Sequence, residues 1–190
     1  MEYQERILST NERAVELRAI AEQLFGVMTS PWRYAGVIFQ DHPPHLNYAP
    51  ESSEVWISLS LRALEDDLQR DFQLAHEICH LLYPSVEPHF AAPPETTALN
   101  EGISTYFSVV VVAAFNGEEA AQLVLDSLNK HSPKYFSAYQ LVSKMLKGDT
   151  ESIKKLRVIQ PMINSVVPED FHRAGIQVGR EQISALLSVC

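Results

Sequence analysis

Residues 72–82 read FQLAHEICHLL, and within them the pentapeptide HEICH at 76–80 decides how the rest of the chain is read. Its flanks are apolar at helical intervals, so the stretch predicts a partly buried helix. On a helix, residues four apart lie one above the other on one face. His76 and His80 therefore direct two imidazole nitrogens at a single point, at the roughly 2.0–2.1 Å that suits a zinc ion. Glu77 follows the first histidine, and its carboxylate reaches a water held at that point, the position of a general base. Cys79 points away from this face and reads as core packing.

A zinc ion that works on a substrate takes a third protein ligand and keeps one position open. Glu101 answers that need. It lies in Asn100-Glu101-Gly102-Ile103-Ser104 within a second predicted helix, with 20 residues between it and His80 and past a loop long enough to reverse the chain. Glu87 and Glu95 are the competing carboxylates on the way.

HExxH followed at this distance by Asn-Glu-Gly resembles the gluzincins, the clan of zinc metallopeptidases that includes thermolysin and the zinc aminopeptidases. The intervening loop is one or two residues longer here, and Pro84, Pro88, Pro93 and Pro94 punctuate it. The resemblance covers residues 55–108, and in outline 34–146. It implies an α+β, zincin-like fold, a short antiparallel sheet on a mostly helical body. It also implies zinc on His76, His80 and Glu101, and peptide-bond hydrolysis with Glu77 as base. In the family an edge strand ahead of the zinc helix binds extended substrate by β-augmentation, and residues 55–59 match that position. A Tyr or His donor steadies the oxyanion. Tyr135, in Tyr135-Phe136-Ser137-Ala138, fits the aminopeptidase pattern with Ala138 where glycine is usual, and Tyr139 stands one turn further on. Tyr106, His131 and His172 are the remaining choices. Thr105 stands where thermolysin has an aspartate that orients a histidine ligand, with Asp71 as the other choice. Phe39, in the strand led by Gly36, stands where the aminopeptidases bind the substrate amine through a glutamate. Aminopeptidase specificity is therefore not implied.

Outward from the metal motif, Tyr34 to Phe39 and Glu54 to Leu59 predict two strands, paired antiparallel across the turn-rich stretch 41–53. In the second, Val55, Ile57 and Leu59 alternate with Trp56 and Ser58. Residues 11–25 predict a helix with Val15, Leu17, Ile20, Leu24 and Phe25 inward, and Ser9 with Glu12 has capping-box spacing. The ligand helices are expected from about 65 to 82 and from about 94 or 95 to 115, with Asn116-Gly117 as the break. Helices at roughly 118–129, 133–147, 149–158 and 179–188 fill the C-terminal part, and a single domain over 1–190 is expected.

Composition narrows the function classes. The chain is 46% hydrophobic and 21% charged, ordinary for a soluble protein. A net charge of −9, with 15 scattered Lys and Arg, argues against a nucleic-acid partner. Two cysteines, Cys79 and Cys190, make no disulfide framework and suit a reducing compartment. The run from Val109 to Phe115 is too short to cross a bilayer, and no signal peptide is visible, so a cytoplasmic location without a membrane partner is expected. His42 and His45 sit in a loop and read as solvated, and His89 lies between the ligand helices where substrate would pass. The alternative to a peptidase is a zinc-containing regulatory or partner-binding protein whose partner fills the groove. A purely structural zinc is normally closed by four protein ligands and has no use for Glu77.

Overall fold

In the computed structural model, residues 2–29, 31–83 and 95–190 are described. The chain opens with α1 (Glu2–Phe25). This helix buries Ala14, Leu17, Ala21 and Phe25, one stripe whose two alanines allow close packing. Val15 and Leu24, expected inward, are exposed. Ser9 and Glu12 fall in mid-helix and cap nothing, since Ser9 Oγ donates to Arg6 O.

Three strands follow, β1 (Arg33–Gln40), β2 (His45–Ala49) and β3 (Glu54–Ser60), in the order β1-β3-β2. β3 runs antiparallel to β2 and parallel to β1. The antiparallel pairing expected for the first and last of these runs is thus corrected. The stretch 41–53 is not all turn: it holds a strand, and two chain reversals return β3 parallel to β1. β2 was hard to see because every one of its residues is half-buried, which leaves no alternation to read. The same topology corrects the expectation for residues 55–59. β3 is the central strand with both edges paired, so it has no free edge for an extended peptide.

β1 carries a register shift between Tyr34 and Gly36. Gly36 has φ +132°, and the next amide, Val37 N–H, donates to Asn11 Oδ1 of α1 at 3.0 Å. A Cβ at Gly36 would stand 3.0 Å from that same oxygen. The glycine is what lets helix and sheet share this bond.

After the sheet, the helix expected from about 65 to 82 is α3 (Asp67–Leu82), and a short helix α2 (Arg62–Glu65) precedes it. Asp66 between them is extended, and its carboxylate accepts Gln69 N–H at 3.1 Å as an N-cap. α4 (Ala98–Asn116) starts later than expected, with Thr97 as its cap. It is long and apolar enough to cross a membrane, yet 72% of its most apolar window is buried against the rest of the protein. Then come α5 (Glu118–His131), α6 (Pro133–Gly148), α7 (Ser152–Ile159), a 3-10 turn (Ile163–Ser165), α8 (Pro168–Arg173) and α9 (Arg180–Leu186). The turn and α8 had no sequence signal beyond Pro161 and Pro168.

The protein is therefore α+β, mostly helical with a small mixed sheet. One hydrophobic cluster joins α1, the sheet and the later helices except α5, and a smaller one around Val109, Val112 and Ala121 seats α5 on α4. Two details fix the placement of α3 and α4. Arg157 of α7 donates to Phe25 O (2.7 Å), Gly26 O (2.6 Å), Val27 O (2.8 Å) and Leu82 O (3.0 Å), so one guanidinium ties the C-terminal ends of α1 and α3. Gly102 lets α6 cross directly over α4: a Cβ there would collide with Ala138 O and come within 2.6 Å of Val142 Cγ2.

Candidate metal centre

α3 and α4 pack side by side, and the residues facing each other near the start of α4 are polar. His76 Nε2 lies 3.1 Å from Glu101 Oε2, and His80 Nε2 lies 3.7 Å from Glu101 Oε1. One donor atom from each of the three lies within 4.8 Å of the others, a group that can hold a metal ion. Among the described residues it is the only such group of three. Both imidazoles turn Nε2 inward, and Glu101 bridges them as an anion would bridge two cations. Glu95 is exposed and takes no part in the group. Glu87 and His89 lie outside the described residues.

Glu77, also on α3, is 3% exposed and lies within electrostatic reach of all three. Burial pushes its carboxyl above the ordinary value, only partly offset by His80 and His76, and the charge of Glu101 adds to the rise. Glu101 behaves in the opposite way. Burial raises it, but His80 and His76 outweigh burial and hold it well below the usual carboxylate range. For His80, burial disfavours the imidazolium, yet the charge and hydrogen bond of Glu101 prevail and push its pKa up to about 9. Two carboxylates in one small site are thus driven apart, one towards ionisation and one towards holding a proton.

Behind His80 stands Asn100, whose Oδ1 lies 3.1 Å from His80 Nδ1. This is the outer partner that ligating histidines commonly have, and it corrects the expectation placed on Thr105 and Asp71. Thr105 Oγ1 is buried with no hydrogen-bond partner among the described residues, so it does not reach an imidazole. Asp71 faces Arg70, Arg13 and Asn116 instead. The signal for Asn100 was in the sequence, one residue before Glu101.

The two tyrosines separate. Tyr135, at the start of α6, has its ring 6.0 Å from that of His76, and burial followed by the charge of Glu101 pushes its hydroxyl up to about 12. Tyr139 is one turn higher and turns to Tyr106 and Phe136, at 6.3 and 6.4 Å between rings. It lines a cavity of about 730 Å³ between α1, α4 and α6 that none of the three clustered residues borders. The structure does not bring Tyr139 to the three clustered residues: four residues along a helix keep the face but rise about 6 Å. Tyr106 shares that cavity, and His131 and His172 are exposed on α5 and α8.

The site also meets the sheet on one side. Glu77 lies within electrostatic reach of His45 and Tyr48 of β2. His45 Nδ1 is 2.9 Å from Pro43 O, so the ring is tied to its own turn and belongs to no second metal group among the described residues. Cys79 is fully buried, and both cysteines are free. Comparison with protein-family models, with curated proteins and with solved structures returned no match.

Proposed function

We propose that this protein is a zincin-like zinc peptidase, with His76, His80 and Glu101 as metal ligands and Glu77 as general base. The observation that carries the reading is the convergence of two imidazole Nε2 atoms and one carboxylate on one point, beside a second, buried carboxylate that is not part of the triplet. The donor set fits zinc: two nitrogens, one oxygen and, among the described residues, no fourth protein ligand, which is the open arrangement of catalytic rather than structural sites. Zinc bound there would supply Lewis-acid chemistry, polarising a peptide carbonyl and acidifying water.

The chain's own residues do the rest. Glu77, whose carboxyl burial has raised, takes a proton from the attacking water on its carboxylate and delivers it to the leaving amine. Tyr135 O–H, kept protonated, donates towards the oxygen of the scissile carbonyl. The peptide lies along β2, the sheet edge on the side of Glu77, with its main chain hydrogen-bonded as an added strand.

The alternative is a zinc-containing regulatory or partner-binding protein, for which the same triplet serves equally. A broad peptide library separates them. The peptidase reading expects close to one zinc per chain and cleavage that a chelator abolishes and added zinc restores. Zinc uptake without cleavage of any library member favours the regulator. No transition metal uptake at all ends both.

A further inference from the structure

His80 is held by a relay whose polarity can be read from its far end. Thr97 backbone N–H can only donate, and it points at the side-chain oxygen of Asn164, 3.2 Å away. The Thr97 hydroxyl lies 3.4 Å from the same oxygen. The amide atom that Asn164 presents here is therefore Oδ1. The atom of Asn100 facing it, at 2.8 Å, must donate and is Nδ2. That leaves Asn100 Oδ1 for His80 Nδ1 at 3.1 Å, and an oxygen that only accepts requires Nδ1 to carry the proton. His80 in its neutral form then has its lone pair on Nε2, the atom turned towards Glu101.

We propose that Asn164 is a positioning residue for the metal centre: by presenting its oxygen to Asn100 it fixes the orientation of that amide and, through it, the tautomer of His80. The proposal rests on the metal-site reading above and extends it to a part of the chain with no motif. Asn164 belongs to the 3-10 turn Ile163–Ser165, 64 residues from Asn100. The same end of α4 is further pinned by the C-terminal segment, where Ala98 N–H donates to Ser188 O (2.8 Å) and Cys190 N–H to Thr96 O (2.9 Å). The C-terminal third of the chain thus reaches the metal site through hydrogen bonds rather than through a ligand. Without the Asn164 oxygen, the Asn100 amide is free to rotate and to offer Nδ2 to His80, which would favour the wrong tautomer.

The experiment compares the full-length wild type with Asn164→Ala and Asn164→Asp, using zinc in competition with a chelator and ¹⁵N–¹H spectra of the imidazoles. Asn164→Asp keeps an oxygen facing three donors and should hold zinc as the wild type does. Asn164→Ala should weaken zinc by about 10–100-fold, the usual scale for an outer partner of a ligand. In it the His80 Nδ1 proton should lose its protection from exchange, while helix content and metal-free unfolding stay near wild type. Unchanged zinc affinity with a protected Nδ1 proton in Asn164→Ala overturns the proposal. So does an Asn164→Asp variant as weak as Asn164→Ala. Should Asn164→Ala fail to fold, the wild type still decides, because an unprotonated Nδ1 on neutral His80 is incompatible with the relay. A wild type that takes up no zinc ends the metal reading instead, and the tautomer of the metal-free protein above about pH 9, where His80 is neutral, still tests the asparagine pair.

Discussion

Near the start of α3 the Asp71 carboxylate, 2% exposed, accepts from Arg70 Nε at 2.9 Å and from Asn116 Nδ2 at 3.2 Å, with Arg13 Nε at 3.7 Å. Farther along the same helix the Glu77 carboxylate, 3% exposed, faces two histidines and another carboxylate. Both are buried acids on one helix, and they are built differently. At Asp71 the chain supplies its own cations, and the cluster is closed. Around Glu77 the chain supplies two acids and two groups that are cationic only when protonated. Burying an acid without a fixed counter-ion is costly, and such positions concentrate where chemistry is done. A divalent cation would balance the second cluster and has no place in the first. The difference teaches that buried charge alone marks nothing; what marks a site is charge left for something else to satisfy.

The largest expected effect tests the closed cluster. Asp71→Ala removes the buried partner of Arg70 and Arg13, which keep Asp67 and Glu16, and should cost about 2–3 kcal/mol of stability in urea unfolding without altering metal uptake. His80→Ala should lose zinc, and its metal-free chain should lose only the pH-dependent stability of the pair with Glu101. If Asp71→Ala lost zinc at unchanged stability, the division between the two clusters would fail.

The second prediction sharpens the open cluster. Glu77→Gln keeps the shape of the side chain and removes its basic oxygen. It should retain zinc and lose turnover by at least about 10²-fold, the lower scale of general-base catalysis. Because it also relieves a buried charge beside Glu101, it should raise the melting temperature of the metal-free protein. That sign is opposite to the one expected at Asp71. A variant with full turnover and normal zinc would remove Glu77 from the mechanism, and one that melts lower would show the buried acid to be satisfied after all.

Much of the open cluster was legible in the sequence because it is local. His76, Glu77 and His80 share one helical face, and Glu101 follows within a recognisable tripeptide, so 3.6-residue periodicity brings most of the site together. Asn100 adjoins Glu101, but its pairing with His80 is a contact between two helices, which spacing along one helix does not show. Asn164 could not be found from sequence, since nothing near Ile163 says that this turn lies against α4. The sheet failed for a related reason. A parallel pairing of β1 and β3 depends on β2, whose five half-buried residues carry no alternation. Gly102 was read only as part of a motif, whereas the structure gives it a steric reason in the crossing of α6 over α4.

The smallest expected effect is the dependence of the open cluster on pH. In the metal-free protein His80 is raised from 6.5 to about 9, so the stability it contributes is complete below about 6.5 and is lost as pH rises through 9. Glu101 is lowered from 4.5, so its contribution is complete above about 4.5 and is lost as pH falls further. The His80–Glu101 pair should therefore stabilise the metal-free chain most between about 4.5 and 6.5 and less towards 9, and the raised Glu77 carboxyl adds to the loss above about 4.5. Zinc reverses the upper half of this profile. It needs the neutral imidazole, and below about 9 it must displace a proton from His80. Its apparent affinity should climb about tenfold per pH unit and level off only near 9, whereas an exposed histidine would level off near 6.5. Chelator competition from pH 6 to about 9.5 measures this directly, and Asp71→Ala should leave the profile in place, because its cluster lies elsewhere on the helix. An affinity that reaches its plateau at 6.5 would mean that Glu101 does not pair with His80 in the metal-free state. The two buried acids of α3 and α4 would then owe their balance to something other than the histidines between them.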